Sequence, residues 1–289
     1  MLDGKFYEAL ARLQLGMSHK SSRSMSGNRK SVQKGISAEF SDFREYMPGD
    51  DLRRMDWNVY ARLDKLYIRE YMEEKEAVVS ILVDTSASMD YGVSGKGELA
   101  RDLAAATSFL ALNQMDRVVL YDMKDMSRGL SVGGGRKAFA KVSLWLGNLE
   151  FSGQVDMLSA VRKIRYQGPG VTVLISDFLH PDVLSNGYEK VMQYLHYRKQ
   201  RPIVLHTMAA EELRITLEGI LNLIDMETAS RVRLTMDAKA IDYYEQELNR
   251  LIDHMRKGCL ESKGVYVLCD AGKERKQLMF EDLREIYDI

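Results

Sequence analysis

The sequence predicts an α/β fold, a mostly parallel sheet with helices on both faces and a small antiparallel β element. Three observations carry that prediction. From Ala77 onward, strand-like and helix-like segments alternate along the chain. The strand-like segments are short and almost wholly apolar, as "AVVSILVD" at 77–84 and "VTVLIS" at 171–176 show, which is the pattern of strands buried on both faces. Between Glu218 and Met236 the period falls to two, as in a half-exposed hairpin.

Taken in order, residues 5–16 place Phe6, Leu10, Leu13 and Leu15 on one face of an amphipathic helix. Met17 to Gly35 is rich in Ser and Gly and carries Lys20, Arg23, Arg29, Lys30 and Lys34 without an acid. Such a stretch buries too little apolar surface to order itself, so a flexible basic loop is expected. Ile36 to Arg69 interleaves aromatic and charged residues around a turn at Met47-Pro48-Gly49-Asp50-Asp51, and Lys65 to Met72 alternates as a strand. Strands are then expected near 77–84, 117–122, 171–176, 202–208 and 265–269. Helices are expected near 96–114, 136–147, 156–166, 183–199, 238–261 and 274–287. The hairpin "GILNLIDMETASRVRLTM" turns at Glu227 to Ser230. In this division, residues 1–75 hold the amino-terminal helix, the basic loop and a distinctive charged–aromatic segment. They pack beside an α/β domain at 76–289, which carries the hairpin near 219–235.

The 289 residues suffice for a large core, and 45% apolar with 29% charged residues is an ordinary globular balance. Forty-one basic and forty-two acidic side chains leave a net charge of −1, so no global field favours nucleic acid or an anionic membrane. The apolar runs are strand-sized, too short for a membrane span, and the amino terminus lacks the apolar centre of a signal peptide. Cys259 and Cys269 show no C-x-x-C spacing, and a reducing cytoplasm is the expected setting.

The most informative segment is Ile81 to Ser88, Ile-Leu-Val-Asp-Thr-Ser-Ala-Ser. A buried strand here delivers Asp84, Ser86 and Ser88 to its carboxyl end, where open α/β sheets build their sites. One carboxylate and two hydroxyls are hard oxygen donors that suit Mg²⁺, with Mn²⁺ or Ca²⁺ also compatible. The bland alternative is a helix start, at which Ser and Asp satisfy orphan amides. No nucleophile–base pair is evident, and no catalytic residue is assigned.

Asp-x-Ser-x-Ser after an apolar strand, with "VTVLISDF" at 171–178, resembles the von Willebrand factor A fold, which is Rossmann-type. "GISAEFSDFREYMPGDDLRRMDWNVYARLDKLYIREYMEE" is similar to the signature of the bacterial family of domain of unknown function 58. The match rests on Glu39, Phe40, Arg44, Tyr46, Pro48, Gly49, Asp50, Asp51, Arg53, Asp56, Trp57, Ala61, Arg62 and Arg69, and the likeness continues through "EGILNLIDMETASRVRL". The resemblance implies a metal-ion-dependent adhesion site formed by Asp84, Ser86, Ser88 and Asp177. Thr85, Ser152, Asp156 and Ser176 are its supporting candidates. It further implies a non-enzymatic adaptor that acts with a MoxR-type AAA+ ATPase in chaperone-like assembly. One position departs from the pattern. Val155, in Ser152-Gly153-Gln154-Val155-Asp156-Met157, stands where the fold usually has a ligating Thr.

Two alternatives to a metal-dependent adaptor follow. One is a metal-free interaction scaffold, in which Val155 marks loss of the ion. The other is a metal-dependent hydrolase or phosphotransferase using Asp84, although Ser86 stands where the general acid of a dehalogenase-like phosphatase would be. Gly92 to Gly97 lacks the Walker spacing, and "VGGGRK" at 132–137 reads as a turn before a helix. The five histidines show no ligand spacing; His180, just beyond Asp177, could line the same rim, although a surface loop is the favoured reading. In the signature segment, Arg44, Tyr46, Asp50, Asp51, Arg53, Asp56, Trp57 and Arg62 form either a partner surface or a compact knot with paired charges. Interleaved signs favour the knot. The basic loop lacks the aromatics that would stack on bases.

Overall fold

The computed structural model describes residues 4–15, 39–72, 77–93, 95–133, 135–180, 186–216, 219–226 and 230–288. The basic loop at 17–35 and most of the hairpin turn lie outside them. The chain forms two compact units, one of residues 1–18 with 77–289, the other of residues 19–76.

The larger unit contains a six-stranded sheet. Its strands are β4 (Val78–Val83), β5 (Arg117–Asp122), β6 (Leu130–Val132), β7 (Gly170–Ser176), β8 (Gln200–Met208) and β11 (Val265–Asp270). They lie side by side as β11-β8-β7-β4-β5-β6, parallel except for β6, which runs antiparallel to β5. Burial follows the apolar run: all seven residues of β7 are buried, as are Val79 to Val83 of β4. Alternate side chains feed opposite faces. Val79, Ile81 and Val83 point into one core with α1 (Gly4–Leu10), α3 (Lys96–Asn113), α4 (Phe139–Gly147) and α9 (Arg275–Phe280). Leu82, Leu174 and Val204 point into a second with α5 (Met157–Lys163), α6 (Tyr188–Tyr197) and α8 (Ala238–Glu261).

Helix α3 is buried nearly all round, and its alanines 100, 104, 105, 106 and 111 let neighbours approach closely. Helix α8 instead buries one stripe, Leu248, Ile252, Met255 and Cys259, at a spacing of four, three and four. Asp237 caps its first turn by accepting from Ala240 N at 2.8 Å. Beyond the sheet, β9 (Gly219–Ile224) and β10 (Arg231–Met236) form the expected hairpin.

Several elements differ from the sequence reading. The amino-terminal helix stops at Leu10, and β1 (Gln14–Leu15) pairs with β12 (Tyr287–Asp288) at the far end of the chain. Phe6, Leu10 and Leu15 enter the first core, so residues 4–15 belong with the α/β unit and not with the signature segment. The expected helix at 274–287 gives way after Phe280 to a 3-10 turn at Asp282–Ile286 and then to β12. Strand β6, three residues long, has no pattern of its own and exists by pairing with β5.

The smaller unit pairs β2 (Glu39–Glu45) antiparallel with β3 (Tyr67–Met72), the register shifting between Phe40 and Asp42. A 3-10 turn at Leu52–Arg54 and α2 (Trp57–Leu63) connect them. Neither β2 nor α2 was expected, because the charges in the segment hide both periods. Met55 and Ile68 are buried and bridge backbone to backbone.

Candidate functional site

Strands β4 and β7 are neighbours, and the chain leaves β4 toward β5 before returning on the other side to β7. Open α/β sheets place their ligands at such a reversal, beyond the carboxyl ends of the strands. Asp84 follows β4 directly and Asp177 follows β7, so the topology alone brings these two carboxylates to one place. Both are fully buried.

Asp84 is held on every side. Its Oδ1 accepts from Ser86 N at 2.9 Å, and its Oδ2 accepts from Ser176 Oγ at 2.5 Å and lies 2.8 Å from His180 Nε2. Burial works to raise the Asp84 carboxyl, but His180 and the two hydrogen bonds outweigh it and hold the pKa below the ordinary value. Ser86 Oγ and Ser88 Oγ lie 3.0 Å apart. Thr85 turns away from Asp84 and donates to Asp122 Oδ1 at 2.5 Å.

The loop at 152–157 is tied to the loop at 84–88 through Ser152 N to Thr85 O and Ala87 N to Gly153 O, at 2.8 and 2.9 Å. Its donors are spent elsewhere. Lys124 Nζ takes Ser152 Oγ at 2.6 Å, and Asp156 caps α5 by accepting from Ser159 N at 2.9 Å. Val155 is buried in the second core among apolar neighbours.

The residue that completes the cluster is Lys96, the first residue of α3 and 1% exposed. Its Nζ donates to Asp177 Oδ2 at 2.8 Å and to Glu212 Oε1 at 2.7 Å. Burial opposes its charge, yet the two carboxylates prevail and raise the ammonium pKa. Glu212, in α7 (Ala210–Leu213), is fixed in turn by Ala209 N at 2.8 Å. Asp177 Oδ1 accepts from Leu179 N at 3.2 Å. A cation at a helix N-terminus opposes the helix dipole, which makes the carboxylate partners necessary. Gly97 permits the placement, because a Cβ there would meet the Phe151 ring at 2.7 Å.

His180 is a correction to the sequence reading: it is 2% exposed and bonded to Asp84, not a surface residue. Phe178, between Asp177 and His180, adopts a left-handed φ of 53°, a strained value for a bulky side chain. It packs edge-on to Tyr188 and His206. His206 of β8 is also buried, with Nδ1 2.6 Å from Tyr266 Oη, and burial pushes its pKa down to about 4. Sequence reasoning misses Lys96 and Glu212 as site residues, and it weighs His180 as a rim residue but reads it as surface. The available signal was a lysine between two glycines opening a buried helix.

The implied metal can be tested against these donors. Asp84, Asp177 and His180 each offer an atom within 4.8 Å of the others. Proximity alone is insufficient: Asp84 Oδ2 is engaged by both Ser176 and His180, Val155 adds no donor, and the Lys96 ammonium holds Asp177 Oδ2. As built, the residues do not fit a hard divalent ion.

In the signature unit, Arg44 and Asp50 form a two-pronged pair at 2.9 Å, and Met47 N donates to Asp50 at 2.8 Å. Hydrogen bonding from Arg44 lowers the Asp50 pKa. Asp51 caps the 3-10 turn, accepting from Arg53 N at 3.0 Å, and Asp56 caps α2. Tyr46 N donates to Leu66 O at 3.0 Å. Arg53 and Arg62 are exposed, and Trp57, 61% exposed, stands edge-on to Tyr60.

Fold and site together define an α/β protein with a buried, internally counter-charged carboxylate cluster at the switch point of its sheet. The chain belongs to the family described as "Protein of unknown function DUF58", whose model matches residues 42–251. It is 37% identical over 110 residues to uncharacterized proteins Rv1480 of Mycobacterium tuberculosis and Mb1516 of Mycobacterium bovis. That match takes in 37% of this chain and 35% of the relatives' length. Among solved structures, BatB from Bacteroides thetaiotaomicron, a conserved hypothetical protein, aligns over 73% of this chain and 98% of its own at 13% identity and a TM-score of 0.42. An aerotolerance-related membrane protein from Bacteroides fragilis aligns over 72% and 99%, also at 13% identity, with a TM-score of 0.39. Scores this low carry no argument. No helix among the described residues is long and apolar enough to cross a membrane.

Proposed function

We propose that the chain is a non-enzymatic adaptor that binds a protein partner through its signature unit, with a von Willebrand A-like α/β unit as its second module. One observation carries this reading. Met47, Leu52, Trp57 and Leu63 are each more than half exposed, and Phe43 and Tyr60 more than a third, within one short stretch. Aromatic, Met and Arg side chains are enriched at protein interfaces, with Trp, Tyr and Arg the commonest hot spots, whereas the acids of the same stretch serve as caps and a pair. The resemblance supplies the partner class, a MoxR-type AAA+ ATPase. Both cysteines are free and buried, which supports a reducing, cytoplasmic setting. The order of the sheet and the placing of Asp84 and Asp177 at its switch point support the von Willebrand A-like assignment.

The test is calorimetric titration of a MoxR-type ATPase from the same organism. Trp57→Ala and Leu63→Ser should each weaken binding by about tenfold or more, as hot-spot truncations do. Unchanged affinity in both would reject the surface.

A second reading is Mg²⁺-dependent docking, in which Asp84, Ser86, Ser88 and Asp177 hold the ion and a partner carboxylate completes its shell. It is favoured by the closeness of Asp84, Asp177 and His180. It requires Lys96 to withdraw from Asp177. The hydrolase reading has no comparable support, since both Asp84 oxygens are engaged in hydrogen bonds.

A further inference from the structure

We propose that the Lys96 ammonium is the resident cation of the strand-end cluster, standing in for the divalent metal that the Asp-x-Ser-x-Ser pattern implies. The site is thereby metal-independent in the native protein and becomes a divalent-cation site when Lys96 is removed.

The argument starts from charge. Asp84 and Asp177 are both 0% exposed, and Glu212, which shares Lys96 with Asp177, has its side chain 15% exposed. Carboxylates drawn this far from water need a counter-charge within contact distance. Lys96 supplies one at 2.8 and 2.7 Å to Asp177 and Glu212, and His180 lies 2.8 Å from Asp84. A bound metal has the same task, which is to draw oxygens from several loops onto one positive centre.

Connectivity makes the same point. Through its Nζ, Lys96 joins the start of α3, the end of β7 and α7 after β8, three loops at one end of the sheet. Two of the supporting oxygen donors are engaged elsewhere. Ser152 is held by Lys124, and Asp156 caps a helix. Val155 belongs to the apolar core, as expected of a position released from ligation. The local backbone is shaped for the lysine. Gly95 has a φ of 67°, and Gly97 gives Phe151 room to seat the turn that aims Lys96 inward.

The experiment uses the full chain and Mn²⁺ as probe, read by electron paramagnetic resonance, with melting in Mg²⁺, Mn²⁺ or EDTA alongside. Wild type should bind no stoichiometric Mn²⁺ and melt at the same temperature in all three. Lys96→Ala should melt lower in EDTA, recover with Mn²⁺ or Mg²⁺, and bind one Mn²⁺ in a manner abolished by adding Asp177→Asn. Stoichiometric Mn²⁺ binding by wild type, lost in Asp84→Ala, would overturn the proposal and establish the metal-dependent reading. A folded Lys96→Ala protein with no metal response would overturn it as well. If Lys96→Ala does not fold, Lys96→Met and Lys96→Met/Asp177→Asn decide. Better folding of the doubly neutral protein supports the ammonium as counter-charge, and equal failure refutes it.

Discussion

His206 should make the protein acid-sensitive in a window where ordinary carboxylates are silent. It is a buried imidazole packed between Phe178 and Tyr266, and burial lowers its pKa from 6.5 to about 4. Above pH 6.5 the ring is neutral in both folded and unfolded chains, and its neutral form contributes full stability. As pH falls below 6.5, the unfolded chain takes up a proton that the folded one refuses, so stability declines until the folded ring titrates near 4. At 1.36 kcal/mol per pH unit, the loss is about 2 kcal/mol at pH 5 and about 3 kcal/mol at its limit. The depressed Asp84 carboxyl acts in the same direction but lower, because its contribution is lost only below the ordinary carboxylate range. Urea denaturation at pH 7.5 and 5.0 measures the effect, with His206→Asn as comparison, since Asn keeps a polar atom toward Tyr266 Oη and removes the titration. Wild type should lose about 2 kcal/mol more than the variant over that interval. Parallel losses would show that His206 is not the group responsible and would refute the argument from burial.

Three further outcomes are expected. Gly264→Ala would set a Cβ 2.5 Å from the Pro202 carbonyl oxygen and 2.6 Å from Cys259 Sγ. Such overpacking should cost about 1–3 kcal/mol in denaturant titration. Asp237→Ala removes the hydrogen bond to Ala240 N that starts α8 and should cost about 1 kcal/mol, measured the same way. Burial pushes the Cys259 thiol up to about 12 and raises Cys269 too, so neither should be alkylated at pH 8 in the native protein, and both should react in urea, as mass spectrometry would show.

The sequence by itself determined those parts of the molecule whose residues repeat with the period of their own element. Short apolar, β-branched runs such as that at 171–176 fit strands buried on both faces, and the core strands and long helices lie close to their expected limits. The same local logic placed Asp84 and Asp177 at strand ends. Tertiary structure decided what depends on partners distant in the chain. Strand β6 exists only by pairing with β5, and β1 only by pairing with β12, because two or three residues carry no period. The pairing of Lys96 with Asp177 and Glu212, and of His180 with Asp84, was illegible for a related reason. Only the fold carries Lys96 to Asp177 across 81 positions and to Glu212 across 116. A motif states which donors a loop offers. Whether those donors face an ion or a lysine depends on which other loop arrives, and that is set by the order of the strands.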